Sequence, residues 1–100
     1  MDANFVVAGQ RFRWDTEKAS SNLKKHGIRF EHACEAFFDP FLRQVDASPA
    51  DEAREAVIGF AEDSTLLFVV HVVRERSGII RIISARNATR SERRLYEDNA

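Results

Sequence analysis

The stretch "LLFVVHVVRERSGIIRIISAR", residues 66–86, decides the fold of this chain. It contains two apolar runs rich in β-branched residues, 66–73 and 79–85, and such runs are typical of β-strands. The turn residues Arg76-Ser77-Gly78 lie between them, and so short a connection joins antiparallel neighbours. Residues 66–70 and 79–83 are apolar on both faces of a strand, so we expect central strands that are covered on both sides.

The rest of the sheet is predicted on the N-terminal side of this hairpin. Residues 55–61 have the composition of a strand and end in the turn sequence 62–64, which extends the hairpin into an antiparallel meander. Residues 41–45 and 11–14 are predicted as short strands, because apolar and polar side chains alternate along the second of them. Residues 47–52 are predicted as a polar loop.

Two helices are predicted between the first strand and the meander. Asp15 is a suitable N-cap for the first helix, which runs to about His26 and ends at Gly27, a residue that readily adopts the left-handed conformation. The second helix spans residues 30–38 and ends before Asp39-Pro40. Its apolar residues recur at helical spacing and predict a buried stripe: Phe30, Ala33, Ala36 and Phe37.

A short third helix is predicted near the C-terminal end. Thr89 and Glu92 have the spacing of a capping box, and a helix over residues 90–97 follows them. Leu95 and Tyr96 are its only sizeable apolar residues, so we expect it to dock weakly. The predicted fold is therefore an α+β domain, in which an antiparallel meander packs against two N-terminal helices and carries a short C-terminal helix.

Composition excludes several classes of protein. One hundred residues make a single domain, 1–100, in which residues 1–10 are a candidate N-terminal extension. The lone Cys34 allows no intrachain disulfide, which suits a reducing cytoplasm. No Cys/His spacing resembles a zinc site, so we predict no metal and no cofactor. No apolar run reaches membrane-spanning length and residues 1–10 do not resemble a signal peptide, so we expect a cytoplasmic protein without a membrane partner.

The charge is unevenly distributed, although the net charge is only −1. Residues 71–96 contain two acids and seven arginines, namely Arg74, Arg76, Arg81, Arg86, Arg90, Arg93 and Arg94. Arginine binds phosphate and carboxylate groups through two parallel hydrogen bonds, which lysine cannot do. Two interpretations are open: a solvated surface with ordinary ion pairs, or a face that binds phosphate groups.

Strand periodicity separates the candidates on residues 66–86. On a regular strand Arg81 and Arg86 point to opposite faces, so both serve one site only if the strand end is irregular. Arg86 lies where the strand leaves the sheet, a common place for functional residues. Arg81 has a structural alternative, an ion pair with an acid. His71 shares its face with apolar residues, which favours a buried core histidine over a proton carrier.

Lys24, Lys25 and His26 precede Gly27 and also allow two interpretations. Cations in the last turn of a helix interact favourably with the helix dipole, and that explanation is complete in itself. The alternative is that they face a phosphate. Cleaving RNA without a metal requires one group that takes the 2′-hydroxyl proton, cations that stabilise the phosphorane and one group that protonates the 5′-oxygen.

Three segments resemble the BrnT toxin family: "FRWDTEKASSNLKKHGIRFEHACEAFFDP" (12–40), "EAREAVIG" (52–59) and "IRIISARNATRSERRLYE" (80–97). The shared motifs are W-D, N-x-x-K-H-G, R-I-I-S-A-R and A-T-x-x-E-R-R, in order along most of the chain. The resemblance implies a RelE-like ribonuclease fold. It also implies a bacterial type II toxin that cleaves RNA and arrests growth, and that is neutralised by a BrnA-like antitoxin with a ribbon-helix-helix part. Operator DNA would be bound only through that antitoxin.

Carried over by motif, the resemblance implies Arg54 and Arg86 as phosphate and transition-state binders. Lys25 or Glu52 would assist proton transfer. The second choices for contacts with RNA are Arg81, His71, Arg74 and Arg90.

Two other functions stay open on the sequence. One is a catalytically inactive module that acts as a co-repressor subunit within a toxin–antitoxin complex. The other is a docking role, in which the arginines bind an acidic antitoxin helix. The docking role is compatible with the toxin interpretation, because a partner could occupy the RNA site.

Overall fold

The computed structural model describes residues 1–47, 54–74 and 76–98, which form one sheet with helices on it. Six strands, three α-helices and one 3₁₀ helix lie in these ranges. In chain order they are β1 (Asp2–Val7), β2 (Gln10–Asp15), α1 (Thr16–His26), α2 (Phe30–Ala33), the 3₁₀ helix (Cys34–Phe38), β3 (Arg43–Asp46), β4 (Glu55–Phe60), β5 (Leu66–Arg74), β6 (Ile79–Asn87) and α3 (Arg90–Glu97).

The sheet is mixed, which corrects the purely antiparallel sheet expected from the sequence. Its strand order is β1-β2-β6-β5-β4-β3. Strands β3 to β6 form the predicted antiparallel meander, but β2 pairs parallel to β6. The helices that follow β2 lead to β3 at the far edge of the sheet. The three antiparallel pairings from β3 to β6 then bring β6 beside β2 in the same direction as β2.

Residues 1–10 contribute a strand of their own. β1 pairs antiparallel with β2 along its whole length, from Asp2 opposite Asp15 to Val7 opposite Gln10. Ala8 and Gly9 connect the two strands with φ values of 49° and 82°. Positive φ at both central residues is the geometry of the hairpin turn whose twist matches that of paired strands.

The first helix has the predicted ends. The Asp15 carboxylate accepts a hydrogen bond from the Lys18 N–H at 3.0 Å, and Gly27 ends α1 in the left-handed conformation, with its N–H bonded to the Leu23 carbonyl at 2.8 Å. Lys24, Lys25 and His26 therefore do occupy the last turn of a helix, where their charge suits the helix dipole.

The second predicted helix, 30–38, is divided into α2 and the 3₁₀ helix, which corrects the single α-helix expected. Three residues of its apolar stripe, Phe30, Ala33 and Ala36, are nevertheless inaccessible to solvent, and the fourth, Phe37, is half-buried. Its backbone lies almost against β4, because a methyl group placed on Gly59 would come within 2.5 Å of the Ala36 carbonyl oxygen. So close an approach requires glycine on the strand.

The main core lies between the sheet and these N-terminal helices. It is built from side chains of β2, β4, β5, β6 and α2, with Phe12, Phe30 and Leu67 among the largest buried groups. On the other face of the sheet Phe68 and Val70 are only half-buried. On the same face Ile58 is fully buried, and Phe60 contacts Tyr96 of α3. The expectation of central strands that are covered on both sides is therefore met only in part on that face.

The third helix begins as predicted. Thr89 and Glu92 form a complete capping box, with the Glu92 N–H donating to the Thr89 hydroxyl and the Thr89 N–H donating to the Glu92 carboxylate. None of the residues of α3 is buried. Among the described residues, no helix is long and apolar enough to cross a membrane.

Candidate functional site

Strand register gathers arginines on the face of the sheet opposite α1 and α2. Residues that are directly paired across strands point to the same side. One row across the sheet runs from Arg86 on β6 through Phe68 on β5 and Ile58 on β4 to Arg43 on β3. A second row runs from Val72 on β5 through Arg81 on β6 to Arg13 on β2. We call this surface the arginine face, defined by Arg13, Arg43, Arg54, Arg81 and Arg86.

Arg54 precedes β4 by one residue, and the pairing of β4 with its neighbours extends to it. Glu55 pairs with Asp46 and with His71, and the Ala47 N–H donates to the Arg54 carbonyl at 3.1 Å. The next residue pair therefore places Arg54 opposite Val72, in the same row as Arg81. Arg86 lies four β5 residues away from that row, about 13 Å along the strand.

A β-bulge brings Arg81 and Arg86 to the same side. Val70 pairs with Ser84 and His71 pairs with Ile82, so Ile83 is an extra residue in β6. One extra residue reverses the alternation beyond it. The regular alternation expected from the sequence, which puts Arg81 and Arg86 on opposite faces, was therefore wrong. The bulge is an irregularity of the kind that allows both arginines to serve one site.

Arg86 is held in a defined position at the end of β6. Its guanidinium lies over the Phe68 ring, 4.2 Å from the ring centre, and donates to both Glu92 carboxylate oxygens at 2.7 and 2.8 Å. The pair is partly buried, with side-chain exposures of 34% and 16%. Hydrogen bonding to Glu92 raises the pKa of Arg86, and the same bond to Arg86 is the largest cause that lowers the pKa of Glu92.

Arg81 is also paired with an acid, as its structural alternative anticipated. It donates to both Asp2 oxygens at 2.9 and 3.2 Å. The hydrogen bond from Arg81 lowers the pKa of the exposed Asp2 carboxyl. Because this pair is solvent-exposed at Asp2, its stabilising effect is small, and Arg81 can exchange Asp2 for another anion at low cost.

Lys25 and His26 line a cleft of about 450 Å³ beside the bulge. The opposite wall includes Ile83 and Ser84, and Ser84 lies on the arginine face because it pairs with Val70. The cleft opens where β2 and β6 separate after Arg13. Lys25 and His26 therefore lie next to the stretch of β6 between Arg81 and Arg86.

The remaining predicted residues are distributed differently. His71 is 1% exposed on the helix-covered face, 3.8 Å from Glu55 and with the Phe37 ring edge-on at 4.8 Å. Burial lowers its pKa, against the opposing effects of the Val69 carbonyl and the Glu55 charge. Arg74 and Arg90 are exposed, at the end of β5 and the start of α3. Glu52 lies outside the described residues.

Three residues important to the site carried no functional prediction from sequence. Asn22 binds the backbone of β6, Glu92 binds Arg86, and Asp39 binds Tyr96 of α3. Asn22 and Glu92 lie inside the motifs N-x-x-K-H-G and A-T-x-x-E-R-R, which was the available signal. Nothing in the local sequence indicates that Asp39 binds Phe60 and Tyr96, because both are distant along the chain. Among the described residues, no group of three or more His, Cys, Asp and Glu side chains could hold a metal ion.

Comparison with known families and structures agrees with this architecture. Residues 14–92 match the model of a family described as the ribonuclease toxin, BrnT, of type II toxin–antitoxin systems. The chain therefore belongs to the BrnT toxin family. The crystal structure of the Brucella abortus ribonuclease toxin BrnT is similar, with 26% sequence identity and a TM-score of 0.53 over 77% of this chain and 94% of that one. A comparison with curated protein sequences found no match.

Proposed function

We propose that this protein is a metal-independent endoribonuclease that cleaves RNA at the arginine face and so arrests bacterial growth. The observation that carries the proposal is the placement of Arg54, Arg81 and Arg86 on one face, next to the cleft that Lys25 and His26 line. Membership of a family of ribonuclease toxins supports the reaction class. The finer resemblance to the RelE fold and the cytoplasmic location are parts of the same proposal.

The reaction proposed is attack of a ribose 2′-oxygen on the adjacent phosphorus. A bond forms between the 2′-oxygen and phosphorus, the bond from phosphorus to the 5′-oxygen breaks, and the products are a 2′,3′-cyclic phosphate and a 5′-hydroxyl. Arg86 stabilises the additional negative charge on the phosphorane, and Arg54, about 13 Å further along the sheet, binds a flanking phosphate of the RNA. His26 or Lys25 takes the 2′-hydroxyl proton or supplies the proton to the 5′-oxygen, roles that need a group within reach of the cleft. Glu52 stays a candidate for the same task.

The partners follow from the family at the same level of proposal. A BrnA-like antitoxin with a ribbon-helix-helix part neutralises the toxin, and the two together repress their operon by binding operator DNA through the antitoxin. We infer that the exposed arginine side chains also suit an acidic segment of that antitoxin. A catalytically inactive co-repressor module is the alternative, which predicts tight antitoxin binding and no cleavage.

The test is cleavage of RNA by antitoxin-free protein in excess chelator. Arg86→Lys keeps the charge but removes the planar fork, so we expect at least a roughly hundredfold loss of cleavage rate. Arg29→Lys is the matched control. Arg29 is an exposed arginine at the start of α2 on the other side of the sheet, so its variant should cleave like the wild type.

Circular dichroism of each variant checks that it is folded. Equal cleavage by wild type and Arg86→Lys would contradict the assignment of the site. If the wild type cleaves neither free RNA nor RNA on ribosomes, the co-repressor alternative is favoured instead.

A further inference from the structure

Glu92 binds only some of the N–H groups of the Arg86 guanidinium. A guanidinium has five N–H groups in a planar fork, with an end formed by Nη1 and Nη2 and a side formed by Nε and Nη2. The two Glu92 oxygens take the end, and Nη1 also donates to the Asn87 carbonyl at 3.3 Å. Within the described residues, the Nε–H and the second Nη2–H of Arg86 have no acceptor.

The free side of the fork has the geometry that a phosphate group needs. Two parallel N–H groups bind two phosphate oxygens in the same manner as a carboxylate. The Arg86 side chain is about one-third exposed, so the contact with Glu92 does not seal it from solvent. An anion can therefore bind Arg86 without displacing Glu92.

Glu92 is itself fixed by the start of α3. Its Oε1 accepts the Thr89 N–H at 2.9 Å, and its own N–H donates to the Thr89 hydroxyl at 3.2 Å. The Phe68 ring supports one flat face of the guanidinium from below. The carboxylate and the ring together hold the plane and the direction of the Arg86 fork, and a reacting phosphate requires a group oriented in this way.

We propose that Glu92 is a positioning residue for the cleavage reaction: it fixes the end of the Arg86 guanidinium so that the Nε–Nη2 side faces the scissile phosphate. This inference rests on the proposed ribonuclease function. It assigns to the capping box of α3 a second role besides starting the helix. Because Glu92 carries a negative charge, it weakens overall attraction to RNA while it improves the geometry of one contact.

The test is Glu92→Gln with Glu97→Gln as its matched control. Glutamine keeps an oxygen for the Thr89 N–H but cannot accept both Arg86 N–H groups. Glu97 lies on the same helix, is exposed, and loses the same charge on substitution. We expect Glu92→Gln to lower kcat roughly ten- to hundredfold, since small misplacement of a transition-state contact has effects of this size. Glu97→Gln should leave kcat unchanged.

A second measurement separates positioning from loss of folded protein. A 2′-deoxy oligonucleotide cannot be cleaved and reports binding alone. We expect Glu92→Gln to bind it at least as tightly as the wild type, with full stoichiometry, because one negative charge has gone. A merely structural role would reduce stoichiometry and cleavage together. The double variant Arg86→Lys, Glu92→Gln should be no slower than Arg86→Lys alone, because both changes remove one unit.

The outcomes distinguish this inference from the function on which it rests. If Arg86→Lys is slow and Glu92→Gln cleaves like the wild type, the positioning role is wrong and the ribonuclease site stands. If Glu92→Gln cleaves faster, Glu92 obstructs Arg86, which also overturns the inference. If the wild-type protein cleaves no RNA, both proposals fail.

Discussion

Asn22 shows how one side chain can replace a strand. Its amide oxygen accepts the Ala85 N–H at 3.0 Å, while its amide nitrogen donates to the Ala85 and Ile28 carbonyls, each at 2.9 Å. β2 pairs with β6 only near Ile80 and Arg81, so the backbone of Ala85 would otherwise face α1 without a partner on that side. A buried backbone group without a hydrogen bond is costly, and Asn22 supplies both bonds.

We predict that Asn22→Ala lowers the free energy of unfolding by about 2–4 kcal/mol, because it leaves three buried backbone partners unsatisfied. Urea denaturation measures the change. Asn87→Ala is the control, since Asn87 is exposed at the end of β6 and its replacement should stay within about 0.5 kcal/mol. Equal stability of the two variants would show that water replaces the Asn22 amide.

The third helix docks on the domain without burying any of its residues. It has eight residues, none buried, and an isolated helix of this length is unstable in water. It contacts the sheet through the Arg86–Glu92 ion pair, through the Tyr96 ring edge-on to Phe60 at 5.2 Å and through the Arg93 guanidinium, 5.8 Å from the centre of the Phe60 ring. The Tyr96 hydroxyl also donates to Asp39, which follows the 3₁₀ helix, at 2.6 Å. Asp39 also accepts the Phe60 N–H and so connects α3 to β4.

Tyr96 should report the docking of this helix through its own titration. Burial first, and then the hydrogen bond to Asp39, raise the pKa of Tyr96 to about 12, compared with about 10 for a free phenol. Since the chain has a single tyrosine, the ultraviolet absorbance of phenolate follows it directly. The folded pKa is the higher one, so the contribution of Tyr96 to stability is complete below about pH 10 and is lost as the pH rises through about 12.

Asp39→Asn should move this midpoint toward the free value without reaching it, because burial, the larger cause, remains. Leu95→Ala is the control on the same helix. A wild-type midpoint near 10 would mean that α3 is not docked through Tyr96 in solution.

At the scale of the whole molecule, net charge is a poor guide to the surface. The net charge of −1 conceals an arginine face whose positive charges project from one side of the sheet. Asp2 and Glu92 neutralise two of them locally, and the acidic turn at Glu62 and Asp63 lies elsewhere, beside His32 and Glu35. A polyanion therefore meets a cluster of opposite charge on the arginine face despite the negative net charge.

We expect the affinity for a single-stranded 2′-deoxy oligonucleotide to fall steeply with salt. Each phosphate neutralised adds about −0.7 to the slope of log affinity against log salt concentration, so contacts from Arg54, Arg81 and Arg86 predict a slope of roughly −2. Arg81→Gln should make the slope less steep by about 0.7. Arg29→Gln, on the other side of the sheet, should leave it unchanged. A slope unaffected by Arg81→Gln would place the bound strand on another surface.

Most elements follow from local sequence signals, and the exceptions have physical causes. Asp15, Gly27 and the Thr89–Glu92 box define their helix ends through contacts with near neighbours, so the sequence predicts them. The 3₁₀ part of residues 30–38 is where Ala36 approaches Gly59 closely. That contact is between segments distant along the chain, and helical periodicity carries no information about it.

The candidate site divides in the same way. The sequence by itself determined the residue types: an arginine-rich C-terminal quarter, a cationic helix end and the motifs of the BrnT family. Only the tertiary structure decided which of them meet. The extra residue Ile83 turns Arg81 and Arg86 to one face, and the parallel pairing of β2 with β6 places the end of α1 beside them. Both features arise from hydrogen bonds between strands, and the alternation of residues within β6 does not show where the extra residue of a bulge lies.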